Sequence, residues 1–318
     1  MSSTQVAPRL TNAVRPAART AMAHGGVKLR QPRPQLASLG SRNRLARAGA
    51  FALGTLWLIV VLVPVYYMVL DSFRSEPQYL TANQWIPTGG TSLSSWQTVT
   101  SWSGGLWKDF LNTGIYAAGT IVLVGTLSLV AAFRIVRHVS RFSAVSFRLI
   151  LFGLAVPIQA LIIPIYVMTV KFHLYDTLYG LVFVTAASLV AVAVLLTVNY
   201  VRMIPRELFD AMAVDGAGER TVFRSLVWPM ARPVMGVVSI WAGIGAWNNF
   251  LLPFILTSSS NKRVITLGLY NIAANNSGFG INIPVVMAGV ILSMLPLLLL
   301  YILLRRQFVK GIGGFALR

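Results

Sequence analysis

The chain has 318 residues, of which 56% are hydrophobic and 11% charged, and its 27 Lys and Arg face only eight Asp and Glu. This balance excludes an ordinary soluble globular domain and places the chain in a membrane. Because the chain has no cysteine, disulfides, thiolate metal ligands and cysteine nucleophiles are excluded as well. The three histidines lie in three different segments, so we expect no metal site.

The first 49 residues form a segment of their own. They contain nine Lys and Arg, no acidic residue and no sustained periodicity. Such a composition predicts a disordered basic tail that contacts anionic lipid headgroups.

Six windows contain no Asp, Glu, Lys or Arg over about twenty residues, the length that a helix needs to cross a hydrocarbon core of roughly 30 Å. These windows are 50–70, 114–133, 149–170, 177–201, 233–256 and 283–304. We therefore predict an all-α polytopic membrane protein with six transmembrane helices between residues 50 and 312, followed by a short tail, 313–318. Pro157 and Pro164 are expected to bend the third helix, and the sixth is expected to begin at Pro284 and to bend at Pro296.

The basic residues are distributed unevenly between the two sides of these spans. Twenty-two of the 27 Lys and Arg lie in the tail, the C-terminal end and the alternate loops between them, and five lie in the other loops. The positive-inside rule then predicts that both termini are cytoplasmic. The same distribution explains the net charge without nucleic acid, which we do not expect as a partner.

The chain shows no means of powering transport by itself. It has no GxxxxGK[ST] loop, so we do not expect it to hydrolyse nucleotide. Its six spans lack the acidic and basic residues with which secondary transporters couple ions to substrate. The energy for any transport is therefore expected to come from another protein.

The loop 202–232, between the fourth and fifth spans, holds four of the eight acidic residues within thirteen positions. Pro205 favours the start of a short helix, and Gly216 favours its end in left-handed geometry. A second helix is expected after it and before Pro229. The segment therefore predicts a cytoplasmic helix-turn-helix. Contact with lipid is one interpretation, and docking on a protein groove lined with Arg is the other; four carboxylates favour the second.

This loop resembles a known motif. The run Asp210-Ala-Met-Ala-Val-Asp-Gly216, then nine residues, then Leu226-Val-Trp-Pro229, has the spacing of the EAA loop of permease subunits in bacterial ABC importers. That motif reads Glu-Ala-Ala, three residues, Gly, nine residues, Ile, one residue, Leu-Pro. Asp215-Gly-Ala217, Phe223 and Trp247-Asn-Asn-Phe250 are similar to the maltose type of these importers. The chain departs from the pattern at Asp210, Met212, Trp228 and Asn249.

The resemblance implies a non-enzymatic permease in the bacterial inner membrane, without a cofactor of its own. It implies a second permease subunit, two cytoplasmic ATPase subunits that hydrolyse ATP, and an extracytoplasmic binding protein that delivers a sugar. The residues expected to dock on the ATPase are Glu207, Asp210, Ala211, Met212, Asp215, Gly216, Phe223, Leu226 and Pro229.

Candidates for contact with the sugar lie in the fifth span. They are Trp241, Trp247, Asn248 and Asn249, because stacked aromatics and amides suit sugar hydroxyls. The alternative is that Trp247 and Asn248 only pack the helix bundle. Two other functions stay open from the residues alone: a stand-alone secondary carrier or channel, and an integral membrane enzyme such as a lipid-linked glycosyltransferase.

Overall fold

The computed structural model describes residues 40–101, 106–275 and 281–316, and these residues are mostly helical, with no β-strand among them. Residues 1–39 of the predicted tail lie outside the described residues. Thirteen α-helices occur in the described ranges: α1 Gly40–Ser72, α2 Glu76–Thr81, α3 Ser94–Thr100, α4 Leu106–Arg137, α5 Arg141–Phe152, α6 Ile162–Lys171, α7 Leu178–Val201, α8 Arg206–Val214, α9 Glu219–Val222, α10 Trp228–Trp247, α11 Leu251–Leu256, α12 Ile265–Asn275 and α13 Ile283–Ala316.

The chain divides into two units at Val60. The first unit contains the beginning of α1, where every side chain described from residue 46 to residue 60 is exposed. Helix α1 begins at Gly40, inside the segment that was predicted to be a disordered tail. The second unit, Val61–Arg318, contains all the other helices.

Four helices of the described part of the chain are long and apolar enough to cross a membrane: Ala46–Ser72, Leu106–Arg137, Leu178–Val201 and Glu219–Trp247. A fifth crossing results if the bent pair Arg141–Ala155 and Ile158–Lys171 forms one span. The apolar segment Ile283–Leu299 of α13 is shorter. The all-helical, multi-pass architecture is confirmed, and the count of six spans stays a prediction.

Two of the predicted spans contain a break. In the window 149–170, the chain bends by 91° between Ala155 and Ile158. Pro157 cannot donate a backbone hydrogen bond, and Val156 before it is extended, as the residue before a proline prefers. In the window 233–256, α10 ends at Trp247 and α11 begins only at Leu251. Each interruption places irregular backbone inside an apolar segment.

Helices α4, α7 and α10 pack against one another around the main apolar core. Small residues bring these helices close together. A Cβ at Gly119 of α4 would lie 3.0 Å from Val182 of α7, and one at Gly245 of α10 would lie 3.1 Å from Leu189 of α7. Such close contacts replace the hydrophobic effect as the main attraction between helices in lipid. The segment 202–232 packs on one end of this core and contains the candidate site.

Candidate functional site

Helix α8 forms the first half of the loop 202–232, which we call the coupling loop. It begins at Arg206, one residue after Pro205, and Glu207 lies in its first turn, where a carboxylate complements the helix dipole. Phe209 is buried and Met212 packs against the same core. The apolar side chains of α8 are therefore divided, because Met212 faces the protein whereas Leu208 and Ala211 are exposed. Phe209 is an anchor that the sequence analysis missed.

Gly216 ends α8 with a left-handed backbone. Its φ is +70°, which confirms the predicted geometry. The amide of Gly216 donates to the carbonyl of Ala213 at 3.1 Å, and the amide of Ala217 donates to the carbonyl of Met212 at 2.9 Å. No atom lies within 4 Å of a Cβ built at Gly216. The backbone conformation, and not lack of space, therefore requires glycine here.

The second half of the coupling loop differs from the expectation. The predicted helix was to end before Pro229, but the helical path continues from Glu219 through a π-helical turn, Phe223–Val227, into α10. Pro229 lies in the first turn of α10, and the residue four positions before it, Ser225, lies inside the π-helical turn. The wider turn spares the clash of a proline ring with a preceding carbonyl.

Buried side chains hold this continuous helix on the core. Val222 and Val227 are almost completely buried. Phe223 contacts Phe133 of α4 edge to face, with ring centroids 5.4 Å apart. Leu226 packs against the same core. Phe223 and Leu226, which we expected to dock on an ATPase, thus bury much of their apolar surface inside the protein.

Glu219 joins the start of the helical path to the end of α4. Its carboxylate lies 2.6 Å from Arg134 Nη1 and 2.6 Å from His138 Nε2. All three side chains are about half exposed, so these contacts contribute only about 0–1 kcal/mol each to stability. The partner of Glu219 could not be predicted from the sequence, because Arg134 and Glu219 are 85 positions apart and give no local signal.

The remaining acidic residues of the coupling loop face outward. Glu207, Asp210 and Asp215 are all exposed. None of the ion pairs found between described side chains uses one of these three carboxylates. Next to them, Leu208 and Ala211 expose apolar surface. The arrangement offers an apolar patch bordered by carboxylates, which suits a groove that carries Arg side chains.

The four residues predicted to contact substrate divide into two pairs. Trp247 donates from Nε1 to the carbonyl of Ser293 at 3.1 Å. The side chain of Asn249 accepts the amide of Leu252 at 3.2 Å and its Nδ2 lies 3.3 Å from the hydroxyl of Tyr116. Trp241 and Asn248, by contrast, are exposed. Trp247 and Asn249 therefore hold the chain around the break after α10.

A buried ion pair fixes the opposite end of α4. Arg263 Nε donates to Asp109 Oδ2 at 2.8 Å, and Asp109 is completely buried. Asn112 Nδ2 donates to the carbonyl of Arg263 at 2.8 Å, and the amide of Ile265 donates to Thr113 Oγ1 at 2.8 Å. These contacts join α4 to the segment that precedes α12. They could not be predicted from the sequence, because Asp109 and Arg263 are 154 positions apart.

Asp176 holds a second connection on the same side, between the turn after α6 and the segment after α11. Its Oδ1 accepts the amides of Ser258 at 2.9 Å and Ser259 at 3.0 Å. Partial burial acts to raise the pKa of Asp176, but hydrogen bonds from Ser259 and Ser258 and the charge of Lys262 outweigh it and lower this pKa. Its φ of +56° is one that Asp and Asn tolerate well.

The Asp176→Asn variant keeps this backbone preference and removes the charge. Because the pKa of Asp176 is lowered by folding, its contribution to stability is present above the ordinary carboxylate pKa of about 4 and is lost as the pH falls through the lower folded value. We expect the variant to lose about 1 kcal/mol or less at pH 7, since the carboxylate is near the surface. Unfolding in detergent at pH 7 and pH 3.5 measures the difference, which should shrink at the lower pH. An equal difference at both values would contradict the assignment.

Comparisons with known proteins agree with this architecture. Residues 122–314 match the family described as binding-protein-dependent transport system inner membrane component. An ABC transporter permease protein, ORF2, of Caldicellulosiruptor sp. (strain Rt8B.4) is 30% identical over 262 residues, which cover 82% of this chain and 94% of that protein. The diacetylchitobiose uptake system permease protein NgcG of Streptomyces coelicolor (strain ATCC BAA-471 / A3(2) / M145) is 27% identical, over 86% of this chain and 89% of that protein.

Solved structures show the same fold. A bacterial ABC transporter involved in the import of the acidic polysaccharide alginate matches with a TM-score of 0.74 at 18% identity, over 84% of this chain and 97% of that chain. A bacterial alginate ABC transporter in complex with an alginate pentasaccharide-bound periplasmic protein matches with a TM-score of 0.63 at 12% identity, over 85% and 96%. The chain is therefore a multi-pass membrane permease, not an enzyme, and it belongs to the inner membrane components of binding-protein-dependent transport systems.

Proposed function

We propose that this permease imports a sugar delivered by an extracytoplasmic binding protein, as one of two permease subunits that dock on two cytoplasmic ATPase subunits. Relatives named for diacetylchitobiose and for melibiose, raffinose and stachyose support the sugar class. A periplasmic protein carrying an oligosaccharide in the complex of a structural neighbour supports the delivery step. ATP is bound by the partner subunits alone, and both termini are cytoplasmic.

The observation that carries the proposal is the unbroken helical path from the coupling loop into the membrane. Glu219–Trp247 comprises 29 residues, or roughly 44 Å at 1.5 Å per residue. It begins directly after the turn at Gly216 and ends at the break before Leu251. A helix of this length transmits a displacement of its first turn to its far end. The ATPases can therefore move the region around Asn248 by moving the coupling loop.

Docking uses the exposed part of the coupling loop. Leu208 and Ala211 fill an apolar depression on the ATPase, and Glu207, Asp210 and Asp215 pair with its basic side chains. The buried side of the loop packs on the apolar core and keeps the loop rigid when the ATPase moves it. The residues on this side are Phe209, Met212, Phe223 and Leu226. Gly216 sets the angle between α8 and the helical path. Pro229 lies beyond the docked surface, in the first turn of α10.

The sugar pathway follows the exposed side of α10. Trp241 and Asn248 are seven residues apart, two turns of helix, so they lie on the same face, and both are exposed. An aromatic ring and an amide on one face provide the stacking surface and the hydrogen bonds that sugars need. Trp247 and Asn249 support this face through their contacts with α13, α11 and α4.

The Asp210→Lys variant tests the docking. Reversal of this charge places two cations against each other at the ATPase surface, so we expect at least a tenfold loss of ATP-dependent sugar uptake and loss of ATPase co-purification. The chain should remain in the membrane, because Asp210 is exposed and forms none of the ion pairs found in the described part of the chain. Asp210→Glu, which restores the acid of the EAA motif, is the matched control and should retain uptake. Normal co-purification with Asp210→Lys would refute the proposed docking.

A further inference from the structure

A basic cavity lies beside the coupling loop and shares Phe209 and Asp210 with it, but the proposed transport mechanism gives the cavity no ligand. It has a volume of about 490 Å³ and is lined by the end of α4, the first two turns of α5, the segment between α7 and α8, and the start of α8. Ile135, Val136 and Ile204 provide apolar wall, whereas Ser140 and Ser143 provide hydroxyl groups. The cavity is therefore lined by apolar groups on some sides and by polar groups on others.

Three arginines line this cavity: Arg137, Arg202 and Arg206. Aromatic rings orient two of them: Arg137 lies 5.9 Å from the centre of the Phe209 ring and Arg202 lies 5.3 Å from that of Phe147. No ion pair between described residues joins any of the three to a carboxylate.

Asp210 is the single acidic side chain among the lining residues, so the cavity keeps an excess of two positive charges. Three cations that line one cavity repel one another. An anion that enters relieves this repulsion. Since guanidinium groups bind phosphate through two parallel hydrogen bonds, phosphate is the anion that they recognise best.

The position of the cavity favours a phosphate carried by a lipid. Arg137 is the last residue of α4 and Arg202 directly follows α7, so the cavity lies where two apolar helices reach the membrane surface. On the side of α5 opposite the cavity-lining Ser143 and Phe147, the helix exposes Phe142, Val145 and Leu149, with Phe142 81% and Leu149 67% exposed. These side chains form an apolar surface that suits contact with acyl chains, so a helix that lines the cavity also borders the lipid. Basic pockets between membrane helices on the cytoplasmic side commonly bind anionic headgroups.

We propose that this cavity is a binding site for a phosphate-bearing anion, namely the headgroup of an anionic phospholipid such as phosphatidylglycerol. The phosphate lies between Arg137, Arg202 and Arg206. Because Arg206 is the first residue of α8 and Phe209 packs against Arg137, the bound headgroup braces α8 against α4 and α7. The site thus links the lipid around the permease to the rigidity of the coupling loop.

Titration of the full chain, purified in a nonionic detergent, tests the site. The probes are dihexanoyl phosphatidylglycerol, dihexanoyl phosphatidylcholine and inorganic phosphate, and calorimetry reports their binding. We expect phosphatidylglycerol to bind at least tenfold more tightly than phosphatidylcholine. The triple variant Arg137→Gln, Arg202→Gln, Arg206→Gln should bind phosphatidylglycerol at least tenfold more weakly than the native chain. Arg148→Gln, Arg224→Gln, Arg232→Gln removes the same charge outside the cavity and should bind within twofold of the native chain.

A second variant keeps the three arginines. Ser143→Asp places a carboxylate in the cavity at the third position of α5, where an acidic residue favours the helix, so the chain should fold. It should also weaken phosphatidylglycerol binding at least tenfold, whereas Ser143→Asn should not. Competition by inorganic phosphate at the same concentration would assign the site to free phosphate, and failure to compete would assign it to lipid. Equal binding of the two lipids, or unchanged binding by the triple and Ser143→Asp variants, would overturn the proposal.

Discussion

Replacement of Gly216 by proline is expected to leave the chain in the membrane and to abolish both ATPase co-purification and sugar uptake. Gly216 has a φ of +70°, whereas the ring of proline fixes φ near −65°. The variant also removes the amide that donates to the carbonyl of Ala213. The turn after α8 must then adopt another conformation, so the exposed patch of α8 is presented at a different angle. Membrane yield, co-purification and uptake measure the three outcomes.

Gly218 offers a matched control two residues away. Its φ is −68°, which proline adopts without strain, and it lies just before α9. Gly218→Pro is therefore expected to retain co-purification and at least half of the uptake. If Gly216→Pro and Gly218→Pro behaved alike, the left-handed turn would have no special role in docking. If Gly216→Pro lost the protein from the membrane, the turn would be needed for folding rather than for docking.

The Gly268→Ala variant is expected to destabilise the opposite end of the permease. A Cβ at Gly268 would lie 2.2 Å from Asp109 Oδ2, far below any real contact distance. Asp109 is completely buried and accepts from Arg263 Nε. Displacement of its carboxylate breaks a buried ion pair and leaves charge uncompensated, at a cost of about 3–5 kcal/mol.

Thermal unfolding in detergent, followed by circular dichroism, measures this loss. Gly114→Ala is the matched control, because Gly114 lies in α4 and no atom comes within 4 Å of a Cβ built there. It should be as stable as the native chain or slightly more stable, since alanine favours a helix over glycine by up to about 1 kcal/mol. A Gly268→Ala variant with native unfolding would show that Asp109 can move freely, contrary to its tight packing.

The first half of the coupling loop could be predicted from the sequence, because neighbouring residues determine it. Pro205 favours the start of a helix, and α8 begins at Arg206. Gly216 is suited to a left-handed residue, and its φ is positive. Both signals depend on the backbone chemistry of a single residue. The side of α8 that packs on the core could not be predicted in the same way, because Leu208 and Phe209 are adjacent and equally apolar.

The second half was predicted incorrectly for a physical reason. A proline usually ends a helix, and this local rule placed the end before Pro229. In the folded chain, the burial of Val222 and Val227 and the contact of Phe223 with α4 hold the helix together. A π-helical turn then accommodates the proline. Tertiary packing therefore outweighs the local preference.

The apolar windows could be recognised from composition, but their interruptions only in part. Pro157 gave a signal for the bend in the third window. No local sequence signal marks the break after Trp247, because distant groups stabilise it. Thr266 Oγ1 donates to the carbonyl of Asn249 at 2.8 Å, and Tyr116 lies beside the Asn249 amide. The ion pair of Asp109 with Arg263 is likewise invisible in a single sequence. Contacts between distant segments thus account for most of what was missed.

Cross-linking from a single cysteine tests the docking of the coupling loop most directly, since the native chain has no cysteine. Ala211→Cys places a thiol on the exposed patch of α8, and Ser258→Cys places one on an exposed segment after α11 as a control. A thiol-to-amine cross-linker is applied to membranes of the native host, and the product is identified by mass spectrometry. We predict that Ala211→Cys is joined to a protein with a GxxxxGK[ST] loop and that Ser258→Cys is not. Absence of such a product from inserted Ala211→Cys, or an equal yield from Ser258→Cys, would contradict the account.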